Sequence, residues 1–251
     1  MNPSTSSLAK LARASYTMGE KGKSKMKRME ETQDSVADTD YILNPKYSNS
    51  EISVFQLKTD PQNIVISMRG TKVGGRRGNI DLVNDLSIAT GRVENESTFK
   101  RRKKKTNQII KDLSPTTLNL TGHSLGGTTT NYTIANSNIV RKYIKSGNNF
   151  SATTFDAGAH PLYNNNITVG KGYGKILENK VNHYRTDKDV VSIGLLTNNP
   201  FGKVKSKKIK YDKKNSSNLY DQLIKGTVLG KIKQFTNETL DAHKIDHFID
   251  D

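Results

Sequence analysis

The segment Gly122-His123-Ser124-Leu125-Gly126 carries the clearest chemical signal in the sequence. It fits the pattern G-x-S-x-G, in which a sharp turn between a strand and a helix exposes a serine hydroxyl. The glycines let strand and helix approach closely, and the helix N-terminus favours negative charge that develops beside the serine. Residues 118–120 and 128–135 suit the required strand and helix. Ser124 is therefore predicted to be a nucleophile and not a helix-capping serine.

A serine hydroxyl is a weak nucleophile until a base removes its proton, and the base needs an acid to orient it. In a strand-turn-helix arrangement of this kind the chain order is Ser, acid, His. Only His243 and His247 follow every plausible acid. Asp156 ends the strand after the nucleophile helix, Asp187 and Asp189 end the next strand, and either position could orient an imidazole. The other histidines are predicted to pack within the elbow (His123), to lie in a loop (His160) and to lie within a strand (His183).

The elements that would position these residues alternate along the chain. An alternating segment at 51–58 and an apolar run at 63–68 predict a β-hairpin that feeds a central strand. Helices are predicted at 80–88, 97–113, 128–135, 139–144 and 219–235, and further strands at 118–120, 150–155 and 180–185. This order predicts an α/β fold with a mostly parallel sheet and helices on both faces.

The sequence resembles the class 3, fungal-type lipases of the α/β-hydrolase superfamily. The resemblance lies in the blocks Ile66-Ser67-Met68-Arg69-Gly70-Thr71, Asn79-Ile80-Asp81-Leu82-Val83-Asn84-Asp85-Leu86, Leu120-Thr121-Gly122-His123-Ser124-Leu125-Gly126-Gly127, Asp189-Val190-Val191 and Ala242-His243-Lys244-Ile245-Asp246-His247-Phe248. It implies an α/β-hydrolase fold and a serine esterase or lipase.

The resemblance also implies a set of site residues. Ser124 would be the nucleophile, Asp189 the acid with Asp187 as the alternative, and His243 the base with His247 as the alternative. The backbone N–H groups of Thr71 and Leu125 would form the oxyanion hole, residues 72–86 would hold the place of a lid, and no metal or organic cofactor is needed. The chain departs from the family where Asp156-Ala157-Gly158-Ala159-His160-Pro161 replaces a Gly-Ala-Pro block and where Ser192 replaces a proline.

The net charge of +16 is concentrated in three clusters, at residues 21–28, 100–105 and 203–214. Such clusters attract polyanions, so we expect an anionic membrane surface as a partner, with nucleic acid less favoured. The cluster at 100–105 is predicted to be a solvated helix face, and the one at 203–214 an exposed hairpin or a surface strand. Residues 1–38 have few large apolar side chains and are predicted to form a basic, mobile tail or a marginal helix before a domain at 39–251.

The absence of cysteine excludes disulfides and thiolate chemistry. No segment is long and apolar enough to span a bilayer, and no signal peptide is recognisable, so an intracellular or virion-associated location is expected. The richness in Lys and Asn would suit an AT-rich genome such as that of a large DNA virus. The predicted function is hydrolysis of a lipid ester, either an acylglycerol or a phospholipid. The alternatives are a basic binding protein on a hydrolase scaffold and an acyltransferase.

Overall fold

A computed structural model describes residues 2–70, 96–158, 171–187, 201–208 and 244–249. The helices are α1 (Thr5–Met18), α2 (Lys25–Asp34), α3 (Glu96–Leu113), α4 (Leu125–Asn136), α5 (Asn138–Lys145), α6 (Lys171–Leu177) and a 3-10 helix (Ile245–Phe248). The strands are β1 (Tyr41–Leu43), β2 (Ile52–Leu57), β3 (Asp60–Met68), β4 (Thr117–His123), β5 (Asn149–Phe155), β6 (Val181–Thr186) and β7 (Lys203–Lys207).

The strands form one seven-stranded sheet whose spatial order follows the chain, from β1 to β7. The pairs β1–β2 and β2–β3 are antiparallel, and every pair from β3 to β7 is parallel. The predicted hairpin, central strands and helices α3, α4 and α5 are confirmed, with ends that shift by a few residues. The α/β class with a mostly parallel sheet is therefore confirmed.

Alternation along the strands divides the core between the two faces of the sheet. On β3, Ile64 and Ile66 face one cluster, which also contains Ile109 of α3 and Ile134 of α4. Val65, between them, faces a second cluster that contains side chains of α1 and of the 3-10 helix. Because side chains alternate across a strand, one hydrophobic run supplies both layers. Helices therefore cover both faces, as predicted.

Residues 1–38, predicted to be a mobile tail or a marginal helix, contain α1, which packs in the core. Ser4 caps the helix by accepting from the Ser7 N–H, and the buried face includes Leu8, Leu11 and Met18. The remaining buried positions on this face are small, namely Ala9, Ala12, Ala14 and Ser15. A stripe of small residues lets the helix lie close to the sheet. Because small residues add little hydrophobicity, the composition of this segment does not indicate a buried helix.

The basic cluster at 100–105 lies on α3, as predicted, but it is not a uniformly solvated face. Arg102 is 4% exposed, and Arg101 forms an ion pair with Glu51. Lys103 and Lys105 lie over the rings of Tyr132 and Tyr47. The described part of the third cluster is β7 and Lys208. Three residues of β7 are exposed and two are partly buried, and the strand pairs with β6, which agrees with the surface-strand interpretation.

Several predicted features lie outside the described residues. They are Thr71, the lid region 72–86, the helices at 80–88 and 219–235, His160, Asp189, Ser192, His243 and the remainder of the basic cluster after Lys208.

Candidate active site

The carboxyl ends of the parallel strands meet at one edge of the sheet. β3 ends at Met68, β4 at His123, β5 at Phe155 and β6 at Thr186. The residues that follow these four strands include Ser124, Asp156 and Asp187. Ligands of open parallel sheets bind at this edge, because the loops there converge while the strands hold them rigidly. The sheet therefore gathers residues that are distant in sequence into one candidate site.

Ser124 lies in a strained turn between β4 and α4. Its φ of 56° and ψ of −128° lie in a region that an L-residue rarely adopts, and such strain costs on the order of 1–3 kcal/mol. Two hydrogen bonds hold the turn: the Ser124 N–H donates to Phe155 O at 2.9 Å, and the Thr128 N–H donates to Ser124 O at 3.0 Å. The backbone of the serine is thus fixed to the neighbouring strand and to the helix that follows it.

The flanking glycines are required by close backbone contacts. A Cβ on Gly126 would lie 2.0 Å from Met68 O, and one on Gly122 would lie 2.5 Å from the Gly126 carbonyl carbon. A Cβ on Gly127 would lie 2.7 Å from the Ala157 Cβ. These contacts pack the first turn of α4 against the ends of β3 and β5. They are the physical reason for the glycines in the sequence pattern.

Capping serines elsewhere in the chain show that Ser124 has a different role. Ser4, Ser24 and Ser137 have negative φ and extended ψ, and each side chain accepts from a backbone N–H three residues later. Ser124 precedes a helix in the same way, but its φ is positive and its side chain makes no capping hydrogen bond. Its hydroxyl is therefore not used to begin α4, which removes the alternative interpretation of this serine.

The end of β3 is held from both sides of the sheet. Arg102 of α3 donates from Nη1 to Arg69 O at 2.7 Å, and Arg69 Nη1 donates to Gly19 O at 2.6 Å, just after α1. Burial lowers the pKa of Arg102 to about 10, and the Arg69 charge acts in the same direction, whereas Glu51 opposes it. Arg102 nevertheless remains a cation at neutral pH. The two arginines fix the backbone two residues before Thr71.

Tyr16 of α1 reaches the site from the face of the sheet opposite to α4, a contact that no pattern in the sequence predicts. Its hydroxyl forms a 2.7 Å hydrogen bond with His123 Nδ1, next to the nucleophile. A Cβ on Gly70 would lie 2.2 Å from that hydroxyl and 2.4 Å from His123 O. Burial raises the pKa of Tyr16, so the hydroxyl stays protonated. The packing role predicted for His123 is thus a polar contact, and no local signal in residues 1–38 indicates its partner.

The candidate acids differ in their surroundings. Asp187 follows β6, its side chain is exposed, and its backbone N–H donates to Lys207 O at 3.0 Å. Asp156 follows β5 and is fully buried, and its Oδ1 accepts from the Thr186 N–H at 2.7 Å. Both residues lie at the same edge of the sheet as Ser124, whereas Asp189 lies outside the described residues.

The candidate bases lie at the end of the chain, where the 3-10 helix packs against α1 and the sheet. The Phe248 ring lies 5.1 Å from the ring of Phe155, centroid to centroid, and Lys207 Nζ donates to His247 O at 2.6 Å. Phe155 and Lys207 are the last residues of β5 and β7, so this segment lies near the carboxyl edge. His247 is partly buried there. His243, one residue before the described segment, is not placed.

Two further findings concern the described residues. No group of three or more His, Cys, Asp or Glu side chains lies close enough together to hold a metal ion. None of the helices in these parts of the chain is long and apolar enough to cross a membrane.

Comparison with known proteins gives matches to solved structures. No family model and no curated protein matches the sequence. M37 lipase is 14% identical and has a TM-score of 0.50, with coverage of 76% of this chain and 70% of that chain. A nonglycosylated LIP2 lipase of Yarrowia lipolytica is 15% identical (TM-score 0.44; coverage 75% and 72%). A triacylglycerol lipase described as having a serine protease triad at its catalytic centre is 15% identical (TM-score 0.43; coverage 90% of both chains). The seven-stranded mixed sheet and the likeness to M37 lipase identify the chain as a protein with the α/β-hydrolase fold.

Proposed function

We propose that the protein is a serine ester hydrolase whose nucleophile is Ser124. The observation that carries this proposal is the backbone of Ser124, which is strained, flanked by closely packed glycines and not used for helix capping. Strain of this kind persists only where surrounding structure over-determines it, and it clusters at active sites, ligand clamps and switch regions. The fold shared with M37 lipase supports the same class of chemistry.

The oxyanion hole is proposed to consist of the backbone N–H groups of Leu125 and Thr71. Leu125 is the first residue of α4, where backbone N–H groups have no partner within the helix and the helix dipole favours negative charge. Thr71 directly follows Gly70, which is packed against the His123 carbonyl. Each such donor stabilises the transition state by roughly 3 kcal/mol.

The proposed reaction is acyl transfer to Ser124. His243, or alternatively His247, removes the hydroxyl proton while Ser124 Oγ attacks the ester carbonyl carbon. Asp189, or alternatively Asp187, orients and stabilises the imidazolium that forms. The imidazolium then protonates the departing alcohol, leaving an acyl-enzyme. Water, deprotonated by the same histidine, attacks the acyl-enzyme and releases the carboxylic acid and the free serine.

The substrate is proposed to be a lipid ester, either an acylglycerol or a phospholipid. The fold likeness to lipases supports a lipid substrate, and the clusters of positive charge support docking on an anionic membrane surface. These charges also attract nucleic acid, but nucleic-acid binding gives no reason for the strained Ser124.

Labelling by a fluorophosphonate probe tests the proposal, with wild type compared with Ser124→Ala. We expect the wild type to be labelled, the Ser124→Ala variant to be unlabelled, and the matched control Ser24→Ala, which removes a remote capping serine, to be labelled like wild type. Folding of each variant is checked by circular dichroism. If a folded wild type remains unlabelled with detergent or vesicles present, the hydrolase proposal is wrong and a basic binding protein is the better interpretation.

Product analysis with an added acceptor alcohol then separates hydrolysis from acyl transfer. Free carboxylic acid as the main product supports the hydrolase. A new ester as the main product, at low acceptor concentration, would show that the same residues serve an acyltransferase.

A further inference from the structure

Asp156 has an unusual backbone conformation beside the nucleophile. Its φ is 42°, and among the described residues only Ser114, Ser124 and Asp156 are non-glycine residues with positive φ. Two of these three therefore follow neighbouring strands at the carboxyl edge of the sheet. Aspartate tolerates this left-handed region better than most residues, because its short polar side chain can make local hydrogen bonds. The carboxylate of Asp156 is fully buried.

The carboxylate of Asp156 takes the place of a backbone carbonyl in the sheet. The β5–β6 pairing ends at Phe155 and Tyr184, and the Asp156 N–H extends it by donating to Tyr184 O at 2.8 Å. In a parallel ladder the next bond would run from the Thr186 N–H to the Asp156 carbonyl oxygen. The chain turns at Asp156, and the Thr186 N–H donates to its side-chain Oδ1 at 2.7 Å instead. The side chain thus extends the ladder after the backbone has left it.

Two consecutive residues, Phe155 and Asp156, therefore hold Ser124 on one side of the candidate site and the end of β6 on the other. The carbonyl oxygen of Phe155 accepts from the N–H of Ser124 at 2.9 Å, and the carboxylate of Asp156 accepts from the N–H of Thr186. Thr186 is the last residue of β6, and the turn that directly follows it begins with Asp187, whereas Asp189 comes two positions later in the sequence. A hydrogen bond to a carboxylate is shorter and stronger than one to a neutral carbonyl, so it is suited to fixing a strand end.

We propose that Asp156 is a positioning residue, whose carboxylate fixes the acid-bearing turn after β6 relative to Ser124. This inference rests on the proposed function. It assigns Asp156 no contact with the substrate and no proton transfer. A misplacement of the acid by about 1 Å would cost up to roughly 100-fold in rate, whereas binding of the substrate would be unchanged.

The test compares Asp156→Asn, which keeps an acceptor oxygen, with Asp156→Gly, which suits the positive φ but has no acceptor. Ser114→Gly is the matched control, because Ser114 has a φ of 43° but is exposed at the end of α3, away from the carboxyl edge. Three quantities are measured: the rate of fluorophosphonate labelling at Ser124, kcat and KM on a short-chain ester, and amide hydrogen exchange at Thr186.

We expect Asp156→Asn to keep kcat within about 3-fold of wild type, because the hydrogen bond to Thr186 is retained. Asp156→Gly is expected to lower kcat and the labelling rate by roughly 10- to 100-fold with KM unchanged, and to speed exchange at Thr186. Ser114→Gly should leave all three quantities at wild-type values. If Asp156→Gly does not fold, retained kcat in Asp156→Asn still supports the proposal.

Two outcomes would overturn the proposal. The first is wild-type kcat and wild-type exchange at Thr186 in a folded Asp156→Gly. The second is a loss of kcat in Asp156→Asn on the order of 10⁴-fold, which is the signature of a carboxylate that itself orients the imidazole. A wild type without labelling contradicts the proposed function instead, and exchange at Thr186 then decides separately whether the carboxylate holds the end of β6.

Discussion

His183, in the middle of β6, shows how two hydrogen bonds determine the state of one buried side chain. Its Nε2 lies 2.9 Å from Phe201 O and its Nδ1 lies 2.7 Å from Thr154 Oγ1. A carbonyl oxygen only accepts, so Nε2 carries the proton and Nδ1 accepts from the threonine hydroxyl. The neutral ring satisfies both partners. Burial lowers the pKa of His183 to about 4, and the bond to the Phe201 carbonyl opposes this shift only in part.

This pKa predicts that the stability of the fold depends on pH in mild acid. The unfolded chain binds a proton at His183 below about pH 6.5, whereas the folded chain binds it only below about pH 4. The neutral ring therefore contributes its full share of the free energy of unfolding above about pH 6.5. This contribution, about 3 kcal/mol in total, is lost as the pH falls to about 4. Urea unfolding measured at a series of pH values would show this loss.

The control for this prediction is His183→Asn, which can accept from Thr154 but does not titrate. We expect the variant to be less stable at neutral pH and to lose most of the slope between pH 6.5 and 4. An unchanged slope in the variant would show that other groups cause the acid sensitivity.

At the scale of elements, the packing where β3, β4 and α4 meet depends on close contact between their backbones. Gly126 lies in the first turn of α4 against the end of β3, where a Cβ would lie 2.0 Å from Met68 O and 2.8 Å from its carbonyl carbon. Neither atom can move without displacing β3. We expect Gly126→Ala to lower the free energy of unfolding by at least about 2 kcal/mol and to abolish fluorophosphonate labelling, because α4 must shift away from the strand.

Gly172→Ala in α6 provides the matched comparison. Apart from its chain neighbours and the backbone of its own helix, no atom lies within 4 Å of the added Cβ, so the substitution should raise stability by about 0.5–1 kcal/mol through helix propensity alone. Thermal unfolding and labelling are measured on both variants. Normal labelling and stability in Gly126→Ala would contradict the close packing of strand and helix.

Helix α1 is the second element on which the site depends. It covers the face of the sheet opposite to α4, and its Tyr16 touches both Gly70 and His123. The candidate site is therefore supported from both faces, by α4 beneath Ser124 and by α1 beside the end of β3. A segment that composition alone marks as a tail is thus part of the supporting structure of the site.

At the scale of the whole molecule, the net charge of +16 predicts electrostatic binding to anionic membranes. Each Lys or Arg near such a surface contributes about 1 kcal/mol at low ionic strength, and salt screens the attraction. We expect Ser124→Ala, used to prevent hydrolysis, to sediment with vesicles that contain phosphatidylserine and to be released as salt rises from ~50 mM to ~500 mM. Neutral phosphatidylcholine vesicles serve as the control. Binding that is insensitive to salt, or equal on both vesicles, would show that the basic clusters do not dock the protein.

The sequence by itself determined the class of the fold and the approximate bounds of the central elements, and its G-x-S-x-G pattern predicted the sharp turn at Ser124. These depend on local patterns: the period of apolar residues sets strands and helices, and the glycines around Ser124 allow the sharp turn that its backbone adopts. The position of His183 within a strand was likewise predictable, whereas the polar contact of His123 with Tyr16 was not.

Only the tertiary structure decided which distant residues support the site. Tyr16 lies 107 positions before its partner His123, and Asp156 lies 30 positions before Thr186. Arg102, within a run of six cations, is the one that is buried against the end of β3. Parallel pairing brings together strand ends that the connecting helices separate in sequence. The packing of helices on the sheet then decides which of several side chains of the same type is buried. Both effects depend on the packed sheet, so no local pattern of residues predicts them.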